Sequence, residues 1–342
     1  MILPFSEDER EKYFSLLNKV FDSNFWSEGE MVKQFEREFS QFTGLPSLAF
    51  SNGGASLLAL YTFAGVNGHE VIVPANTFYA TAVTAKRAGA EVVYADCNKT
   101  DLCISLEDIK SKVTPRTKAI CVVHIGGHIA FEIEEIADFC KQNGIALIED
   151  CAHAHGASFN GKVPGSWGLG GAYSFYATKT MPLGEGGMIC STNKELLDWA
   201  KLFRNYGKKV EDGKVAYKIK NGFNCRMNEV TAALGIVQLE KMPEVLEWKR
   251  RLAAKYDQIF SNKVIFSENM ISGYYKYVVF DYELKEATGK VFDRTDFGPE
   301  IENIPYDLPN SEYVAEHHSC VPIWYGWEYA DKSVNEIARI VL

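Results

Sequence analysis

The sequence predicts an α/β protein in three layers, a mostly parallel central sheet between helices, with a smaller C-terminal α+β domain. Two observations carry this. Short apolar runs alternate with helical stretches between Leu48 and Ile148, and such alternation puts parallel strands in one sheet with crossover helices on both faces. At 342 residues the chain is also too long for one simple core. A large domain over residues 1–244 and a small one over 245–342 are therefore expected.

The elements follow in order. Residues 6–43 read as two amphipathic helices, with Phe35, Phe39 and Phe42 forming a core-facing stripe between charged residues. Phe25 to Gly29 is an aromatic loop between them, in which Trp26 is either a ligand contact or a buried anchor. Leu48 to Leu60 reads as a strand, a small-residue turn and a helix start. The backbone N–H groups of Gly53, Gly54, Ala55 and Ser56 would face whatever lies beyond that helix end, where the dipole favours an anion. His69 to Ala82 runs from a strand into a helix, with Phe78 as either core or a flat face for a ligand. Glu91 to Asp96 and Lys118 to His124 continue the pattern, and Gly126-Gly127 breaks it. His124 either lines a site or is bonded internally.

Ile145 to Ile148 is the apolar run of a buried parallel strand. Glu149 and Asp150 stand at its carboxyl end, where open α/β sheets place their ligands. Asp150 either serves a ligand or caps a helix. Lys179 follows 29 residues later, inside Tyr173 to Gly187. That stretch starts like a strand, turns at the lysine, and ends in Gly-Glu-Gly-Gly, which suits neither helix nor strand. A lysine becomes a nucleophile when desolvation or a nearby cation leaves its amine partly deprotonated. Lys179 is flanked by threonines, and Ser174 and Thr178 can bind an anion beside it. It is a candidate Schiff-base lysine; the alternative is a solvated loop residue.

Leu196 to Phe203 is helical, and Asn228 caps a long helix that runs through Leu239. Between them Lys208, Lys209, Lys218 and Lys220 cluster near Gly207, Gly213 and Gly222. This segment is either a mobile cationic flap or a solvated surface. Beyond residue 245 a charged helix from Glu247 to Phe260, a strand at Gly273 to Phe280 and a terminal helix from Val334 are expected.

Composition excludes several classes. A net charge of −9 argues against broad nucleic-acid or anionic-membrane binding. No stretch nears the ~20 apolar residues of a membrane span, and the first residues lack a signal peptide's cationic start. The eight cysteines are scattered singly, which implies buried reduced thiols in a cytoplasmic protein and no zinc or other metal site.

Taken together, Asp150 to Gly156, Ser174 to Gly187 and Asn224-Cys-Arg-Met-Asn-Glu229 resemble the DegT/DnrJ/StrS aminotransferase family. The resemblance runs from about Ser27 to about Met242. It implies fold type I and the cofactor pyridoxal 5'-phosphate, held as an internal aldimine on Lys179. By the same resemblance Asp150 meets the pyridine nitrogen and His153, where the family often has glutamine, meets the phenolic oxygen. Phe78 stacks on the ring, and Gly53 to Ser56 with Ser174 take the phosphate. Asn224 reaches across a homodimer interface to the partner's phosphate. The family's Ser-Gly-Thr-Ala-Ala-Leu reads here with Asn52, Gly54 and Ser56 at the changed places, so a threonine hydroxyl is lost. The implied reaction moves an amino group from an amino acid, by analogy L-glutamate, to a nucleotide-linked keto sugar. Trp26, Glu185, Lys218 and Lys220 are the candidate substrate contacts. The family's C-terminal histidine motif is missing, which leaves the acceptor open. A sugar 3-dehydratase of the same fold would carry histidine in place of Lys179, and a non-catalytic cofactor-binding regulator is the other alternative.

Overall fold

The computed structural model describes residues 5–342, so the reading of Met1 to Pro4 as no signal start lies outside it. Two helices open the chain, α1 (Glu7–Ser23) and α2 (Glu30–Thr43). Ser6 and Glu9 form a reciprocal capping box that starts α1. Gly44 ends α2 in the left-handed conformation that glycine adopts without strain. Phe35 and Phe39 are fully buried and pack on Phe175, so the aromatic stripe is core.

The expected alternation follows. It comprises β1 (Ser47–Phe50), α3 (Gly53–Ala64), β2 (Glu70–Pro74), α4 (Ala80–Arg87), β3 (Glu91–Ala95), α5 (Leu106–Lys112), β4 (Thr117–Val123), α6 (Ile133–Asn143) and β5 (Ala146–Asp150). After a two-residue β6 (Ser158–Phe159) come β7 (Gly170–Ser174), β8 (Gly187–Cys190) and α7 (Lys194–Phe203). Seven strands make one sheet in the order β1-β8-β7-β5-β4-β2-β3. Only β8 runs antiparallel to its neighbours, β1 and β7. Asp150 pairs with Val123 on one side and Ala172 on the other, at the carboxyl edge. β7 ends two residues later at Ser174, so the lysine turn leaves the sheet beside Asp150.

Two local features were not read from the sequence. Within the lysine-rich segment lies a hairpin, β9 (Lys208–Glu211) and β10 (Lys214–Tyr217). Asp212 and Gly213 both have positive φ in its two-residue turn, which matches the twist of paired strands. The two helices expected on either side of residue 245 are one, α8 (Glu229–Tyr256), which runs through Pro243. Helices α1 and α2 cover it, and this packing outweighs the hydrogen bond that proline removes.

The C-terminal part contains β11 (Met270–Ile271), β12 (Tyr277–Phe280), α9 (Gly298–Glu302), α10 (Pro309–His317), β13 (His318–Val321) and α11 (Val334–Val341). Strand β12 divides two cores by simple alternation. Tyr277 and Val279 face a cluster with Leu252, Tyr256, Phe260, Ile337 and Val341. Val278 and Phe280 face the core built on Ile72, Ile120 and Val122. All eight cysteines are buried and unpaired. Among the described residues no helix is long and apolar enough to cross a membrane.

Lys249 of α8 is buried, and among the described residues its one partner is backbone, its Nζ donating to the Tyr274 carbonyl at 2.9 Å. Burial, helped by the charge of Lys276, pushes its amine from 10.5 down to about 7. The unfolded chain therefore binds the extra proton between those values. Stability from this group is present at high pH, falls as pH drops from about 10.5 to about 7, and is flat below. Lys249→Met should gain on wild type by up to a few kcal/mol between pH 10 and pH 7. Parallel thermal melts check this, and a constant difference would show that Lys249 stays charged.

Candidate active site

Asp150 is buried at the end of β5, and two donors fix its carboxylate. Thr81 Oγ1 donates to Oδ2 at 2.9 Å, and the Ala152 amide donates to Oδ1 at 3.1 Å. Burial raises its pKa, against the pull of those donors and of the Lys179 charge. Asp150 therefore does not cap a helix; it is oriented toward the lysine turn. The neighbouring Glu149 points the other way. Its oxygens take the amides of Gly165, Trp167 and Gly168 at 2.7, 2.8 and 2.9 Å and lie 3.2 Å from His124 Nε2. Because His124 Nδ1 accepts from the Ala130 amide at 3.2 Å, Nε2 is the donor to Glu149. His124 is thus an internal structural histidine.

Lys179 sits in a turn after Tyr176. Burial lowers its amine from 10.5 to about 8, the Lys276 charge adds to this, and Asp150 opposes it. That is the condition a nucleophilic lysine requires. The Gly-Glu-Gly-Gly run explains how the turn fits. A Cβ on Gly187 would stand 2.3 Å from the Asn52 carbonyl oxygen, so only glycine lets β8 press against the start of α3. Likewise a Cβ on Gly53 would meet the Ser174 Cβ at 2.8 Å. The first turn of α3 and Ser174 therefore form one cradle of small residues. Within it Asn52 takes the Ala55 amide at 2.8 Å. The Ser56 hydroxyl is buried and turned back on the Asn52 carbonyl at 3.3 Å. This corrects the reading of Ser56 as a phosphate-facing hydroxyl; the first backbone amides remain available.

His153 lies beside Lys179, whose charge adds to burial in lowering its pKa well below the ordinary value. Its Nδ1 is buried and has no hydrogen-bond partner among the described residues. Phe78 is 71% exposed, so it is not core. Trp26 is 64% exposed against Phe21, so it is not a buried anchor. Glu185 is exposed on the glycine loop. Asn224 is exposed, its backbone bridging Asn205 and its side chain unbonded among the described residues, so it does not serve its own turn. Lys218 pairs with Glu211 at 2.6 Å on the hairpin, and Lys220 is exposed beyond it. None of these last four is brought into contact with Lys179 within one chain.

Two members of the site carried no signal at their own positions. Thr81 stands in an ordinary helix start, and Tyr275 arrives from the C-terminal part to stack on His153. The donor set fits pyridoxal phosphate. It offers a deprotonatable amine, a buried carboxylate, an orphaned imidazole nitrogen, an exposed aromatic face and a cradle of amides at a helix N-terminus.

Comparison with known proteins agrees. Residues 7–285 match the model of the DegT/DnrJ/EryC1/StrS aminotransferase family. GDP-perosamine synthase of Vibrio cholerae is 37% identical over 257 residues, 74% of this chain and 68% of that protein. GDP-4-keto-6-deoxy-D-mannose 3-dehydratase of Yersinia pseudotuberculosis is 29% identical over 301 residues, 81% of this chain and 76% of that one. The crystal structure of the aminotransferase TlmJ from Streptoalloteichus hindustanus superimposes with a TM-score of 0.85 at 25% identity, covering 99% of this chain and 98% of that one. A lysine turn set beside a carboxylate that closes a parallel strand, in a chain matched over this length, makes this protein a member of the DegT/DnrJ/EryC1/StrS aminotransferase family.

Proposed function

We propose that this chain is a pyridoxal phosphate-dependent aminotransferase of amino-sugar and polysaccharide biosynthesis. It moves an amino group from an amino acid, L-glutamate by family analogy, to a nucleotide-linked keto sugar. The observation that carries the reading is the lowered amine of Lys179 beside the buried Asp150 carboxylate. Lysine rather than histidine at this position favours amine transfer over dehydration, although a dehydratase is among the relatives. A cytoplasmic setting fits eight unpaired buried thiols.

Bound pyridoxal phosphate supplies an electron sink that carries the amino group between donor and acceptor. Lys179 would hold it through Nζ. Once freed by the donor amine, Nζ would serve as the base that takes the donor's α-proton and as the acid that returns it on the far side of the transferred nitrogen. Asp150, fixed by Thr81 and Ala152, would keep the ring nitrogen protonated. His153 would serve the phenolic oxygen, and Phe78 would cover the ring. The amides of Gly53 and Gly54, with Ser174, would hold the phosphate. Asn224 completes the site of the neighbouring chain in a homodimer. Trp26, Glu185, Lys218 and Lys220 face the sugar nucleotide.

Incubation with L-glutamate and a panel of nucleotide-linked keto sugars, followed by mass spectrometry, tests the reaction. An aminated sugar should form with one equivalent of 2-oxoglutarate, and no aminated product from any member would sink the reading. Light scattering should give a dimer or larger; an active monomer would refute the shared site.

A further inference from the structure

The loop between β11 and β12 brings Tyr275 into the site from the C-terminal part of the chain. Its ring stacks on His153, with centroids 4.1 Å apart and planes 18° from parallel. Lys179 Nζ lies 5.1 Å from the centroid of the same ring, within cation–π range. Thr178, next to the lysine, sets its hydroxyl beside the Tyr275 phenol. One side chain thus touches three residues that the sheet itself positions.

The loop is held tightly enough to place that ring. The amides of Gly273 and Lys276 donate to the carbonyls of Gly127 and Gly126 at 2.8 and 2.9 Å, and Ser272 Oγ donates to Gly127 at 3.0 Å. Two glycines permit the approach. A Cβ on Gly127, whose φ is +104°, would stand 2.4 Å from the Tyr275 amide nitrogen. A Cβ on Gly273 would stand 2.0 Å from the His155 carbonyl oxygen. The Gly126-Gly127 break after β4 is therefore the dock for the Tyr275 loop.

We propose that Tyr275 is a positioning residue of the amine-transfer site, its ring holding the Lys179 amine and fixing the plane of His153. This rests on Lys179 being the residue that bears the cofactor. The aromatic face favours the ammonium form and so opposes burial. Asp150 acts in the same sense, Lys276 in the opposite one, and buried His153 and His155 are held neutral. Leucine at 275 keeps apolar bulk but loses the ring quadrupole, whereas phenylalanine keeps it.

Two readouts test this in the full-length chain. One is the pH dependence of chemical labelling of Lys179 by trinitrobenzenesulfonate, read by peptide mass spectrometry. The other is the pH dependence of the visible absorbance that appears on adding pyridoxal phosphate. Tyr275→Phe should match wild type, and Tyr275→Leu should move both midpoints down by about one pH unit. Tyr275→Met serves the same comparison should leucine unfold the loop. Midpoints that stay or rise in the aliphatic variants overturn the proposal. A wild-type protein that gains no absorbance, or gains it through another lysine, sinks the aminotransferase reading instead. The labelling midpoint still tests the contact between Tyr275 and Lys179.

Discussion

Lys179→Ala will give a colourless protein that neither attaches pyridoxal phosphate nor transfers amine. The wild-type protein should be yellow, or become so on incubation with the cofactor. Lys179 is the amine that burial lowers to about 8 while it faces Asp150. Only the neutral amine attacks an aldehyde, so wild-type attachment should speed up as pH rises and level off above about 8. A solvated lysine would place that midpoint near 10.5 instead. The substitution removes a half-buried side chain at a turn and should leave the fold intact, which a thermal melt within a few degrees of wild type checks. Equal absorbance in the variant would mean another lysine carries the cofactor.

Asp150→Asn should keep cofactor uptake but lose transamination by roughly 10²-fold or more, the scale on which one preorganised charge registers in catalysis. Asparagine matches the shape of the buried carboxylate and can still accept from Thr81 or Ala152. Removing a carboxyl that burial already disfavours as an anion costs the fold little. What is lost is the charge that keeps a ring nitrogen protonated, so single-turnover proton abstraction should slow while absorbance at saturation is unchanged. Turnover near wild type would give this role to a different residue.

Much of the site was legible because its signals are local. The run Ile145 to Ile148 followed by Asp150 marks a strand end, and the small residues around Lys179 mark a turn pressed against a neighbour. Asn228 caps the helix it precedes, as its place before an apolar-periodic run implies. The hairpin signal Asp212-Gly213 is also local, although the sequence reading treats Gly213 only as a point of flap mobility. The sequence reads as two helices, one through Leu239 and one from Glu247, whereas a single helix covered by α1 and α2 runs through Pro243.

By itself, then, the sequence determined the alternation of strands and helices, the carboxylate at the edge of β5 and the lysine turn that follows a further strand. Each depends on backbone preferences and side-chain periods among adjacent residues. The tertiary structure alone decided that β8 inserts antiparallel between β1 and β7. It also decided that Ser56 turns inward, that Thr81 anchors Asp150, and that Tyr275 docks over Gly127 to meet Lys179. Apart from the Ser56 turn and the β7–β8 pairing, those outcomes join residues far apart in the chain, and no local preference specifies which distant surface a buried group will find.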